Sequence, residues 1–158
     1  MLQHVTAVIL LALATAAPAQ AIKRVGTEAS PISASVEVPV GSRLVYVSGT
    51  VPDPLKPDAP AGSVERFGDT EAQTRSILTR IDKQLQQHGL TLGDVVMMRV
   101  FLVAPPGQQR MDFQAMMRGY SAFFGTQQQP HKPARSTMQV AGLVDPGWLV
   151  EIEVTAAK

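Results

Sequence analysis

Cysteine is absent from this 158-residue chain, which excludes disulfides and thiolate chemistry. A single core of this size needs no covalent staples. Excess charge is also missing. Fourteen Lys and Arg against 13 Asp and Glu leave a formal net charge of +1, which argues against nucleic-acid binding, since such proteins usually carry a basic face or stripe. The three histidines, His4, His88 and His131, have no ligand-spaced neighbours, so no metal site is expected. There is no glycine-rich phosphate loop. Ser48-Gly49 closes a strand without a G-x-S-x-G elbow or an evident base, so a serine nucleophile is not indicated. Internal repeats and low-complexity tracts are lacking. After residue 21 no apolar run approaches the about 20 residues needed to span a bilayer.

What is present begins with "MLQHVTAVILLALATAAPAQA". An apolar run from Val5 to Ala17 precedes small residues at Ala19 and Ala21, the pattern of a secretory signal peptide cleaved after Ala21. The segment holds no Asp, Glu, Lys or Arg, so the charge of +1 belongs to the remainder. The expected organisation is a signal peptide over 1–21 and one domain over 22–158. The expected location is the periplasm or the exterior, with no membrane contact in the mature form.

Residues 22–34 read as a polar lead-in. "SVEVPVGSRLVYVSGTV" reads as two strands around a turn at Gly41-Ser42, with Pro39 placing the first at an edge or a bend. Prolines at 52, 54, 57 and 60 make the next stretch a loop. A helix follows, with Thr70 and Gln73 at capping-box spacing and Asp69 as the alternative cap. Its apolar stripe is Thr74, Ile77, Leu78, Ile81 and Leu85, and Gly89 is placed to end it. "DVVMMRVFLV" is a strand. The helix in "MDFQAMMRGYSAFFG" presents Phe113, Met116, Met117, Tyr120 and Phe124, a stripe that reads as core. "PARSTMQVAGL" and "WLVEIEVTA" are strands joined by a turn at Asp145-Pro146-Gly147. The order β-β-α-β-α-β-β predicts an α+β fold, a mixed sheet with both helices on one face. The other sheet face then needs cover from water or another subunit.

One residue in this pattern demands a partner. Arg135 sits in a strand in the most apolar third of the chain, where a guanidinium is costly to bury unpaired. Period two groups it with Thr137 and Gln139, and groups Glu151 with Glu153 and Thr155. A hairpin through Asp145 would pair 139 with 151, 137 with 153 and 135 with 155, placing both polar rows on one side. Glu153 is then diagonal to Arg135, which makes a structural ion pair one reading. The other leaves the fork of Arg135 free for an incoming carboxylate. Glu151 then faces the ligand from the far side or from a neighbouring subunit.

"YVSGTVP", the segment from Ala72 to Val103, "YSAFF", "PARST" and "VEIEVTA" together resemble the Rid family, the reactive intermediate deaminases also called YjgF or RidA proteins. The resemblance spans most of residues 29–158. It implies a chorismate-mutase-like fold assembled as a homotrimer with sites between subunits. It implies hydrolysis of 2-imino acids and their enamine tautomers to 2-oxo acids and ammonia, with no metal or organic cofactor. Arg135 then binds the substrate carboxylate and Glu151 positions or activates water. Backbone near Ser48, Gly49 and Thr137 completes the pocket. Two departures stand out. Thr137 replaces a cysteine found in many family deaminases, and Ile32, Ser33 and Ala34 occupy the N-terminal segment where better-studied members place a tyrosine. A non-catalytic small-carboxylate-binding or chaperone-like module on this scaffold is the alternative.

Overall fold

The computed structural model describes residues 21–158. The expected signal peptide thus lies outside the described residues except for Ala21. Strands β1 (Lys23–Val25), β2 (Ser35–Glu37) and β3 (Leu44–Thr50) come first, then helices α1 (Val64–Phe67) and α2 (Thr70–Gln86). Strand β4 (Val95–Leu102), helix α3 (Phe113–Ser121), β5 (Ala134–Gln139) and β6 (Val150–Ala157) complete the chain. The result is a mixed sheet with three helices, of which α1 is a single turn. No helix among the described residues is long and apolar enough to cross a membrane.

Helix α2 starts at Asp69, whose Oδ1 accepts from the Ala72 N–H at 2.8 Å. The alternative cap therefore prevails over the Thr70–Gln73 box, because Gln73 is needed inside. Its fully buried amide donates to the Gly68 and Gly147 carbonyls, both at 2.9 Å, and accepts from the Leu149 N–H at 2.7 Å. These bonds tie the helix start to the loop ahead of β6. All five stripe residues of α2 are buried. The helix ends as expected: Gly89 takes a φ of +66°, and the Leu90 N–H reaches back to the Leu85 carbonyl at 3.0 Å, a geometry that glycine adopts without a Cβ clash.

The main sheet runs β3-β6-β4-β5, with β4 and β5 parallel and β6 antiparallel to both β3 and β4. Neither expected hairpin forms. Between β2 and β3 the chain turns at Gly41 (φ +87°), but β2 pairs with β1, and the supposed lead-in supplies that strand. Between β5 and β6 the Asp145 turn exists, with the Gly147 N–H donating to Asp145 Oδ1 at 2.8 Å, yet β4 lies between the two strands. The physical reason is the crossover. Helix α3 connects β4 to a parallel neighbour, which leaves the opposite edge of β4 for β6. The pairing of 139 with 151, 137 with 153 and 135 with 155 is therefore replaced by two separate ladders onto β4.

Helices α2 and α3 cover one face, where Met98, Val100, Leu102, Ile152 and Val154 meet Ile77, Leu78, Ile81, Met116 and Tyr120 in the core. The opposite face carries Tyr46 (74% exposed), Met138 and Arg99 and has no helix over it among the described residues. Met116 and Tyr120 of α3, and Phe124 just past its end, are core as expected, whereas Phe113 at the helix start is exposed.

Candidate functional site

Arg135 is held by the first half of β5. It pairs in register with Met98 of β4, a fully buried residue of the helix-covered face. Its guanidinium therefore lies between the sheet and α3. The guanidinium carbon stands 4.3 Å from the centroid of the Tyr120 ring, a cation–π contact. That ring is fixed in turn. It stacks on Phe124 with centroids 4.8 Å apart, and its hydroxyl donates to the Pro31 carbonyl at 3.0 Å. Nη2 of Arg135 donates to the Met117 thioether at 3.1 Å, a weak acceptor. Nη1 is buried with no partner among the described residues. Burial pulls the guanidinium pKa down, an effect opposed by Tyr120, and burial pushes the Tyr120 hydroxyl up to about 12. Two residues along, on the same face, the Thr137 hydroxyl is also buried and unpartnered. One arm of a charged fork and a hydroxyl thus stand on one face of β5 without a partner among the described residues.

The structural pair between Arg135 and Glu153 does not form. Glu153 sits opposite Arg99 in the β4–β6 register and bonds it at 3.4 Å. Both project from the uncovered face of the sheet.

Glu151 belongs to that uncovered face too, since it pairs with Phe101. Phe101 lies three residues from Met98 on β4, and an odd offset reverses the face. Within one chain Arg135 and Glu151 are therefore on opposite sides, contrary to the expectation that both polar rows share one. The cause is the inserted strand β4, which sets each row's parity independently.

Beside Glu151 the β3–β6 register slips between Val47 and Thr50, and the slip seats Gly49 under the carboxylate. A Cβ at residue 49 would lie 1.9 Å from Glu151 Oε1 and 2.8 Å from its Cδ. Only glycine leaves the carboxylate where it is. Ser48 and Gly49 border an open cleft of about 330 Å³ with Tyr46, Arg80, Gln84 and His88. Arg80 is already engaged, with Asp53 at 3.1 Å and the Val51 carbonyl at 2.6 Å. The structure thus brings Ser48, Gly49 and Glu151 together, and separately Arg135 with Thr137. Sequence reasoning missed Met117 and Tyr120 as the arginine's walls, because a stripe spaced for core packing looks the same whether it meets leucine or arginine.

Such features describe an α+β domain with a half-buried arginine that keeps one donor without a partner among the described residues. Residues 16–158 match the family model described as Endoribonuclease L-PSP, and the chain belongs to that family, the YjgF/RutC/Rid group. A RutC family protein from Pyrococcus abyssi is 30% identical over 128 residues, covering 81% of this chain and 87% of the relative. The structure is similar to that of YyfB, a Rid family protein of unknown function from Yersinia pestis. That match has a TM-score of 0.65 at 25% identity, over 87% of this chain and 98% of the other. It is also similar to TdcF from E. coli with bound serine, at a TM-score of 0.57 and 28% identity over 86% and 98% of the two chains.

Proposed function

We propose that this protein hydrolyses 2-imino acids, and the enamines in equilibrium with them, to 2-oxo acids and ammonia. The site lies between subunits of a homotrimer and uses no metal or organic cofactor. The observation that carries this reading is the unpartnered Nη1 of Arg135, whose one candidate carboxylate in the neighbouring sequence, Glu153, is committed to Arg99. A buried charge without a partner is costly, and a substrate carboxylate taken by the fork relieves that cost.

The chemistry needs a positioned water as well as a held substrate. Water adds to the imine carbon as Glu151 takes its proton. Glu151 passes that proton to the imine nitrogen to give the carbinolamine, then carries the carbinolamine's hydroxyl proton to the same nitrogen as the carbon–nitrogen bond breaks, leaving the 2-oxo acid and ammonia. Gly49 leaves room for the Glu151 carboxylate in this role, and Ser48 and Thr137 complete the lining. Because Arg135 and Glu151 face opposite sides of one chain's sheet, a cleft between two subunits supports their meeting where one subunit cannot supply it. The uncovered sheet face is the natural surface for that assembly. A serine-bound relative supports a small amino-acid-like ligand on this scaffold. The near-neutral charge supports a small molecule over RNA, despite the family's ribonuclease description. The N-terminal apolar segment supports export, with Ala21 as the last residue removed.

The test couples the protein to an amino-acid oxidase and follows the transient imine. Accelerated loss of the imine, with matching release of ammonia, is the expected result. The non-catalytic carboxylate binder is the second reading, favoured by the isolation of Arg135 from Glu151 within one chain. Under that reading the imine decays at its uncatalysed rate while small carboxylates still bind.

A further inference from the structure

Helix α3 sets an oxidisable sulfur against the guanidinium of Arg135. The chain has no cysteine, so its thioethers are the sulfurs that a peroxide can reach. Met98 and Met116 are sealed in the core, whereas Met138 is exposed. Met117 is half-buried. Its Sδ accepts from Arg135 Nη2 at 3.1 Å, the one sulfur among the described residues that takes a hydrogen bond.

A thioether holds that donor weakly. One oxidation step higher the same side chain becomes polar, and its sulfoxide oxygen is a far better acceptor for a charged donor. The surroundings permit the exchange. The Tyr120 ring closes one face of the guanidinium at 4.3 Å and is itself tied to the Pro31 carbonyl, so the arginine is held in place. Methionine is unbranched and turns about several bonds, so an oxygen on Sδ reaches the fork without moving α3. Nη1 has no partner among the described residues, which leaves the fork short of acceptors.

We propose that Met117 is a reversible oxidation site whose sulfoxide occupies the fork of Arg135 and shuts out an incoming carboxylate. The modifying agent is hydrogen peroxide. Its distal oxygen bonds to Sδ as the oxygen–oxygen bond breaks. The sulfur supplies the electron pair, and the other oxygen leaves as water with both protons. A methionine sulfoxide reductase restores the thioether. Oxidation of an amino acid by dioxygen yields peroxide together with a 2-imino acid, so the agent arises where such a substrate does. The consequence for ligands rests on the proposed function, but it is read from binding, without turnover.

The experiment treats the protein with hydrogen peroxide, removes the excess with catalase, maps sulfoxides by peptide mass spectrometry and titrates pyruvate by calorimetry. Sulfoxide at Met117 is expected to weaken pyruvate binding by about tenfold or more, the scale of one charge-assisted bond, and the reductase is expected to restore it. In Met117→Leu, whatever its starting affinity, the same treatment is expected to change binding by less than about twofold while Met138 is still oxidised. Unchanged binding with Met117 oxidised, an equal loss in Met117→Leu, or oxidation that spares Met117 overturns the proposal. If pyruvate binds neither form, the carboxylate reading fails and urea melts decide the rest. A sulfoxide bonded to Arg135 lowers the midpoint less in wild type than in Arg135→Leu, where the new oxygen has no donor. Equal drops in the two overturn the proposal.

Discussion

Arg135 and Glu151 stand on opposite faces of the same sheet, Arg135 opposite Met98 and Glu151 opposite Phe101 on the shared neighbour β4. Neither is within reach of the other in one chain. Arg135 has an unspent donor, and Glu151 has a glycine beneath its carboxylate. The functional reading follows from this separation as much as from the residues themselves.

If Arg135 serves a ligand and not the fold, its removal costs activity but not stability. Arg135→Met deletes a buried charged donor that has no hydrogen-bonding oxygen to lose. Urea denaturation is expected to show a protein as stable as wild type or more stable by about 1 kcal/mol, the low end of the cost of an unmade buried hydrogen bond. Imine hydrolysis is expected to fall below detection, and Arg135→Lys is not expected to restore it, because a point charge does not replace the fork. A loss of more than about 2 kcal/mol in Arg135→Met would instead mark a structural residue.

Gly49→Ala addresses the other half of the site. The added Cβ would meet Glu151 Oε1 at 1.9 Å, so the carboxylate must swing away. The expected outcome is a drop in kcat of about 10²-fold, the scale of losing a positioned acid–base group, with cooperative unfolding preserved. Wild-type kcat in Gly49→Ala would remove Glu151 from the mechanism.

Gln73→Leu is the structural counterpart. The substitution strands the Leu149 N–H and the Gly147 carbonyl in the interior, and is expected to cost about 2–6 kcal/mol at about 1–3 kcal/mol per orphaned group. Thermal or urea melts measure it. Under the proposed function the residual folded protein should keep its KM, since Gln73 touches neither half of the proposed site.

How far these roles were legible beforehand differs by element. The α2 stripe from Thr74 to Leu85 and the run in β4 declare themselves through periodicity, and each forms where its pattern places it. Pairing partners do not. The Asp145-Pro146-Gly147 turn is a sound local signal, but it cannot compete with the β4-α3-β5 crossover, which claims the edge of β4 through contacts distant in sequence. That one error in adjacency moved Glu151 to the wrong side of Arg135 and gave Glu153 the wrong partner. Gln73 shows the same limit. Its spacing from Thr70 suits a capping box, while two of its three partners, Gly147 and Leu149, lie more than 70 residues along the chain. The α1 turn at Val64–Phe67 carries too few residues to show a period at all.

Alkaline pH offers a check on the shelf beneath the arginine. The Tyr120 hydroxyl is pushed up to about 12 by burial, whereas an unfolded tyrosine titrates near 10. Between these values the unfolded chain loses a proton that the folded chain keeps, so stability contributed by Tyr120 is complete below pH 10 and falls as pH rises toward 12. The expected slope is about 1.4 kcal/mol per pH unit. Tyr120→Phe should lack this component of the decline, seen as a shallower loss of stability than wild type across pH 10–12 in urea titrations. Parallel curves for the two proteins would mean that the hydroxyl is not held in a buried environment.

The claim that one site draws Arg135 and Glu151 from different subunits is tested most directly by mixing two inactive variants. Arg135→Ala and Glu151→Gln are each expected to show little or no imine hydrolysis alone. Unfolded together and refolded in equal amounts, they form mixed trimers. Random assembly then gives about a quarter of sites an intact arginine from one subunit and an intact glutamate from its neighbour. The account predicts recovery of about a quarter of wild-type activity in the mixture. Activity that stays at the level of the separate variants, in a mixture shown by light scattering to be trimeric, would contradict it.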